Sequence, residues 1–446
     1  MSEYKHDLTK GNVKRTMLRF VVPYLCSCFL QTFYGLADLF VVGLYNGSET
    51  TTAVSIGSQV MHMLTVMLAG IVMGTTVELG RSIGAKDFAK SKRITGASVV
   101  LFTAIAVCAT IILTLFTGHI VSLMMTPSEA VSETISYLRI CFLGLPFIVA
   151  YNVISGIYRG AGDSRSPMLF IAVACIVNII VDFAFIGGMG LGAAGAAFGT
   201  VIGQAVSVVI SLMFLKRIGL GFRLELKDIA FHGNETGSIL GVGFPICMQD
   251  GLIQISFIVI TVIANSRGLI DAASVGVVEK LISFMFLVPS AFLSAISAIT
   301  AQNMGAGKPD RARDCLRFGL IVTVVWGMLC CLYNQFLPWT LISLFRREPE
   351  IIAAASAYMR AYSIDCIFAA VHFCFSGFFC GCQKSGLSFL HNIISVLLVR
   401  VPGAYFASLY FPDNLYPMGL AAPCGSLLSV LICAGFYAYF RKKGEF

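Results

Sequence analysis

Charge is what this chain has least of. Asp, Glu, Lys and Arg make up 12% of its 446 residues, where a soluble globular chain carries about 25%. Apolar residues reach 57%, so a water-facing surface of ordinary composition is excluded. Its six histidines are scattered, and its fifteen cysteines lie almost entirely inside apolar stretches, as in Cys26-x-Cys28, Cys330-Cys331 and Cys380-x-Cys382. No spacing suits a metal centre, no Ser, His or Cys cluster suits a nucleophilic enzyme, and no outer-loop cysteine pair suits a disulfide. These gaps argue against an enzyme and against any cofactor, and they leave the cysteines as small helix-packing residues. The alternating pattern of barrel strands is missing as well, so a membrane-crossing chain must cross as helices. No cleavable leader is expected, because the charged stretch before Arg19 runs into an apolar segment too long for a signal-peptide core.

What the chain does have is twelve apolar stretches, each of roughly 20 residues or more and so able to cross about 30 Å of hydrocarbon as a helix. They lie near 17–44, 53–80, 94–117, 134–158, 167–187, 192–215, 238–264, 272–302, 315–340, 351–381, 388–411 and 416–440. The chain also repeats itself. A shift of 221 residues lays Gly84-Ala85 on Gly305-Ala306, Tyr137-x-Arg139 on Tyr358-x-Arg360, Ser155-Gly156 on Ser376-Gly377, and Gly160 on Gly381; Pro23 and Pro245 match within one residue. The fold class expected is an all-α membrane protein, with twelve transmembrane helices in two six-helix lobes related by an internal repeat. Such an architecture marks transporters whose lobes rock about a shared axis. The longest polar stretch sets the boundaries: an N-lobe at 1–218, a cytoplasmic linker at 219–237 and a C-lobe at 238–446.

The formal net charge of +8 follows from topology rather than from an acidic partner. With the N-terminus inside, 24 of the 31 Lys and Arg fall in inner segments, and only Arg267, Arg346 and Arg347 fall in outer loops. By the positive-inside rule both termini are cytoplasmic, in a multi-pass protein of the cell membrane, and no nucleic acid is expected as a partner. Gly190-Leu191-Gly192-Ala193-Ala194-Gly195 has the letters of a dinucleotide fingerprint but no strand before it, and reads as small residues that let helices approach.

Ionisable groups inside a bilayer are costly, so each is a functional candidate. Entering near Arg19, the first helix carries Asp38 about 28 Å along its axis, with Tyr34 one turn earlier on the same face. The fifth helix puts Asn178 and Asp182 on one face, and the sixth brings Thr200 to the same depth. These hard oxygen groups are candidate ligands for a proton or a sodium ion, with Asp38, Asp182 and Asn178 as candidate Na+ ligands. The second lobe holds Asp250, Glu279, Lys280, Asp365 and Arg400 within spans. Asp250, Asp365, Glu279 and Arg400 form a second candidate site for substrate or protons, and mid-bilayer Arg400 is expected to pair with Asp365 or Asp250.

Gln31-Thr-Phe-Tyr34-Gly-Leu-Ala-Asp38-x-Phe-Val-Val-Gly43, Gly84-Ala85-Lys86-Asp87 and Arg159-Gly160-Ala161-Gly162-Asp163-Ser164-x-x-Pro167 resemble the multidrug and toxic compound extrusion (MATE) family. The resemblance covers essentially the whole chain. It implies antiport, in which an organic cation or amphiphile leaves as protons or sodium ions enter. It also implies a first-lobe cation-coupling site, matched by Tyr34, Asp38, Asn178, Asp182 and Thr200 and more weakly by Asn152. The second-lobe segment Gly381-Cys382-Gln383-Lys384-Ser385 departs from the first-lobe pattern. The expected protein is a monomeric, cation-coupled multidrug efflux antiporter. The rivals are a lipid-linked precursor flippase of the same superfamily, which would want a strongly cationic cavity, and a non-transporting membrane receptor.

Overall fold

A computed structural model describes residues 7–218, 222 and 224–445; residues 219–221 and 223 of the expected linker lie outside the described residues. Among the described residues every regular element is helical. The first half carries α1 (Val13–Tyr45), α2 (Ser48–Gly84), α3 (Phe88–Leu115), the short α4 (Thr117–Leu123), α5 (Val131–Leu143), α6 (Leu145–Gly160), α7 (Arg165–Asp182) and α8 (Gly192–Ile218). The second carries α9 (Gly233–Ser266), α10 (Leu269–Met285), α11 (Leu287–Gly305), α12 (Pro309–Phe336), α13 (Pro338–Ile342), α14 (Pro349–Ser363), α15 (Asp365–Gly381), α16 (Ser385–Ser395), α17 (Val401–Tyr410), α18 (Tyr416–Gly419) and α19 (Ala421–Lys442).

Among the described residues, ten helical stretches are long and apolar enough to cross a bilayer, and counting each of two bent pairs as one span brings the number to twelve. The segments Ser128–Leu143 and Leu145–Gly160 meet at 49°, and Pro349–Ser363 and Asp365–Gly381 at 40°. At the first bend Pro146 follows Gly144 directly after Leu145; its ring removes a backbone donor, which favours a break there.

The repeat is visible in backbone contacts. A side chain on Gly156 would strike Val72 and one on Gly377 would strike Leu293; likewise Gly160 closes on Thr76 and Leu79, and Gly381 on Ser297 and Thr300. Every member of the second set stands 221 residues after its counterpart in the first. Small residues therefore set the distance between α2 and α6 and, in the same way, between α11 and α15, as expected where packing rather than water drives helix association.

The turns repeat too. Lys86 and Gly307 take left-handed backbone, φ 60° and 68°, and so do Gly162 and Gln383, φ 83° and 60°. After the first of these turns Asp87 accepts from the Lys90 N–H at 2.9 Å. After the turn at Gly162, Asp163 accepts from the Arg165 N–H at 2.9 Å and from the Ser166 hydroxyl at 2.6 Å. The Gly-x-x-Asp spelling of these segments is thus a turn followed by a helix cap.

The chain divides into two compact units, residues 1–8 with 18–244, and residues 9–17 with 245–446. The division falls inside α9, later in the chain than the polar stretch at 219–237. The start of α9 stays with the first unit because its backbone runs tight against α2: Gly74 faces the Ile239 carbonyl and Gly243 faces Ile71, with no room for a Cβ at either glycine. The polar stretch itself packs on α3, where Gly96 abuts the Asp228 carbonyl, Lys92 lies 3.6 Å from Asp228 and Arg93 pairs with Glu235 at 2.8 Å. The backbone N–H of Glu225 holds the Asp228 carboxyl below the usual range.

In the second unit, the segment before α1 is held by its backbone. Lys308 donates to the Thr9 carbonyl at 3.0 Å, and Arg311 donates to the carbonyls of Gly11 and Lys10 at 2.6 and 2.7 Å. At the other end of the helices Arg267 works as a clamp. Its Nε bonds Asp271 at 2.7 Å, and its two Nη atoms bond the carbonyls of Ser408, Phe411 and Pro412.

Candidate functional site

Three helices of the first unit bring oxygen groups together. Tyr34 and Asp38 come from α1, Asn178 and the last residue of α7, Asp182, from one face of that helix, and Thr200 from α8. The Tyr34 hydroxyl donates to the Thr200 carbonyl at 2.9 Å, and the Thr200 hydroxyl donates to Asp38 Oδ2 at 3.2 Å. Asp38 also faces Asp182 and Asn178. Asp38 is 2% exposed and Asp182 and Asn178 are fully buried.

No lysine, arginine or histidine pairs with either aspartate among the described residues. Asp38 Oδ1, both Asp182 oxygens and both amide atoms of Asn178 lack a hydrogen-bond partner there. A buried polar atom left unpaired costs roughly 1–3 kcal/mol, and more if charged. Two carboxylates side by side at low dielectric cannot both stay ionised cheaply. The donor set, two carboxylates with a carboxamide oxygen and a hydroxyl, fits a proton or a hard monovalent cation by chemistry.

The local folding that makes this site rests on a row of glycines of which the sequence reading singled out only Gly195. Gly195, Gly199 and Gly203 recur every fourth residue along one face of α8. A side chain on Gly199 would overlap the Asp182 carboxylate and press on the Asn178 amide; one on Gly203 would meet the Ala174 carbonyl at 2.8 Å, and one on Gly195 would meet Ile186 at 2.9 Å. The small-xxx-small spacing was the available signal. Directly after Asp182 the chain makes a π-helical turn, Phe183–Gly188, whose Phe183 ring lies edge-on to Tyr45 of α1 at 6.3 Å. Such turns shift the register of the helix they end. Cys141 and Tyr137 of α5 flank the cluster, with the Tyr137 hydroxyl 3.1 Å from Ser58. Asn152 is not drawn in. It is buried on α6, and its amide donates to the Ile148 carbonyl of its own helix at 2.8 Å.

The second unit sets Asp250 apart from its other candidates. Arg400 closes another π-helical turn, Val396–Arg400. The expected ion pair of Arg400 with Asp365 or Asp250 is not formed among the described residues. The guanidinium instead donates to the Tyr362 hydroxyl at 2.6 Å and lies 4.5 Å from the centre of the Phe257 ring. Aromatic groups thus take a cation that charge counting alone would assign to an acid. Glu279 accepts from the Thr261 hydroxyl at 3.4 Å, while its neighbour Lys280 is exposed. Asp365 is 1% exposed, and together with Glu279 it interacts electrostatically with Arg400. Asp250 is not part of that group and lies near Cys247 and Cys380.

A helical, multi-pass membrane protein built of two repeated halves, with a buried acidic cluster in the first, is the class these features define. The MatE family model matches residues 23–184 and again 245–406, starting on the two matched prolines. The chain belongs to the MatE family, a family of transporters rather than enzymes. It is 26% identical over 455 residues to the probable multidrug resistance protein YoeA of Bacillus subtilis (strain 168), covering 98% of this chain and 96% of that one. It is also 26% identical over 441 residues to the probable multidrug resistance protein YpnP of the same strain, covering 98% of each. Among solved structures, an outward-facing conformation of a multidrug resistance MATE family transporter of the MOP superfamily superposes with a TM-score of 0.91 at 22% identity, covering 99% of this chain and 98% of that chain. At that identity the likeness establishes the fold.

Proposed function

We propose that this protein is a cation-coupled multidrug efflux antiporter, which exports organic cations or amphiphiles by alternating access as protons or sodium ions enter. One observation carries the reading: Asp38 and Asp182 are buried together with unpaired oxygens and no basic partner. A structural role alone leaves that arrangement costly, whereas a site that takes up and gives back a cation requires it. Tyr34, Asn178 and Thr200 shape the site, and Asn152 stands outside it. Multidrug resistance is what the names of the B. subtilis relatives say of those proteins, and multidrug export is proposed here for this chain.

Coupling needs the ion and the exported solute to favour different states of the protein. Ionised Asp38 and Asp182 favour the state open to the outside, and cation binding there repacks α1 and favours release of the solute. In the second unit, Glu279, Asp365 and Arg400 are the candidate solute or proton site, with Asp250 separate from them. The transporter acts as a monomer in the cell membrane with both termini in the cytoplasm, its lobes at 1–218 and 238–446 joined by the linker at 219–237.

The test is counter-transport in proteoliposomes with an imposed sodium or proton gradient. Export of a fluorescent organic cation that follows one of the two gradients supports the reading. Equal accumulation with and without both gradients would refute antiport.

A further inference from the structure

The charged cluster of the second unit is one connected arrangement. Phe257 and Thr261 lie one turn apart on α9; the first carries the Arg400 guanidinium on its ring and the second donates to Glu279. Tyr362 receives the Arg400 donor, its ring lies 5.8 Å from that of Tyr358, and Asp365 follows three residues later in the chain. Arg400 therefore interacts electrostatically with both carboxylates, Asp365 and Glu279, without making an ion pair to either. Asp365 Oδ1, Glu279 Oε1 and Arg400 Nε have no hydrogen-bond partner among the described residues.

We infer that Arg400 is a specificity-determining residue that restricts the solute taken by this cluster to a single positive charge. The inference rests on the proposal that Glu279 and Asp365 receive the exported solute. A guanidinium keeps its proton throughout the accessible pH range. With both acids ionised the cluster bears one net negative charge, and one positive charge brings it to neutrality. A solute with two positive charges leaves an excess positive charge at low dielectric, where unlike and like charges are both felt strongly. Arg400 is thus a resident cation that occupies half of the available negative charge. Tyr362 and Phe257 hold it in place without neutralising it, so its charge remains available to repel a second one.

The experiment compares tetraphenylphosphonium, a monocation, with methyl viologen, a dication, in binding to the full-length purified transporter and in export from proteoliposomes. Arg400→Gln raises the ratio of dication to monocation affinity about tenfold or more. Arg400→Lys keeps the wild-type ratio, and the double variant Arg400→Gln/Glu279→Gln, with one net negative charge again, returns to it. An unchanged ratio in Arg400→Gln overturns the inference. Where Arg400→Gln does not fold, Glu279→Gln alone carries the test. With Arg400 present it leaves the cluster neutral and lowers the preference for tetraphenylphosphonium over uncharged triphenylmethane about tenfold; an unchanged preference overturns the inference. The underlying reading fails separately, if Glu279→Gln and Asp365→Asn both leave the binding and export of the two cations at wild-type levels.

Discussion

Gly162 and Gln383 hold the same left-handed turn in the two halves of the chain, at φ 83° and 60°, yet only one of them is a glycine. An L residue in this conformation is strained by about 1–2 kcal/mol. Gly162→Ala should therefore lower the unfolding midpoint in detergent, by about 1 kcal/mol of stability. Thermal unfolding of the purified Gly162→Ala variant decides the point, and an unchanged midpoint would contradict it.

The first-unit site makes a sharper demand. Asp38→Asn and Asp182→Asn should each reduce gradient-driven export at least tenfold while leaving expression and monodispersity intact, because an amide of the same shape cannot exchange a proton or a sodium ion as a carboxylate does. Liposome transport at matched incorporation, with and without a gradient, is the measurement. Wild-type coupling in both variants would move the mechanism to the second unit.

Gly199→Ala should reproduce that loss without altering any ionisable group. The added methyl would sit where the Asp182 carboxylate is, so the acid must move or α8 must back away. Gly35→Ala, with nothing within 4 Å of the added carbon, is the control and should transport normally. Equal transport by the two variants would show that the closeness of α8 to Asp182 is dispensable.

Arg267 and Arg346 should behave very differently in a stability assay. The Arg267 side chain is 5% exposed and serves one carboxylate and three carbonyls, whereas Arg346 makes a 4.0 Å pair with Glu348 with both side chains about half exposed. Hydrogen bonds to a charged group contribute about 1.5–3 kcal/mol each net of water, and exposed pairs about 0–1 kcal/mol. Arg267→Ala should lower the unfolding midpoint by several degrees and Arg346→Ala by less than one or two.

The charge asymmetry yields a topological prediction. On a cysteine-free background, a cysteine at position 88 or 310 should resist an impermeant thiol reagent in intact cells and label after permeabilisation. Ready labelling from outside would reverse the orientation.

Most of the fold could be read from the residues, because a span must be apolar for about 20 residues and the chain says so twelve times. The shift of 221 residues that aligned the glycines reappears in the contacts of Gly156 with Val72 and Gly377 with Leu293. The second bend and the π-helical turns were not legible, since neither Ile364 nor Phe183–Gly188 carries a local signal that separates a break from a continuous helix. In the first unit, helix periodicity and depth sufficed to group Tyr34, Asp38, Asn178, Asp182 and Thr200. Gly199 was missed because its part is to be absent as a side chain. The Arg400 pairing failed for a related reason: charge counting sees acids, and the partners that hold this guanidinium are the Tyr362 hydroxyl and the Phe257 ring.

The carbonyls of Thr9, Lys10 and Gly11 are bound by side chains 299 to 301 residues further along the chain. On a ribosome adding about 5–20 residues per second, that separation is roughly 15–60 s of synthesis. The segment at residues 9–11 thus waits through the synthesis of about 300 further residues for its partners, and assembly of the second unit then returns to it. A fusion placed ahead of Thr9 should therefore interfere late, with closure of the finished second unit, rather than early, with insertion of α1.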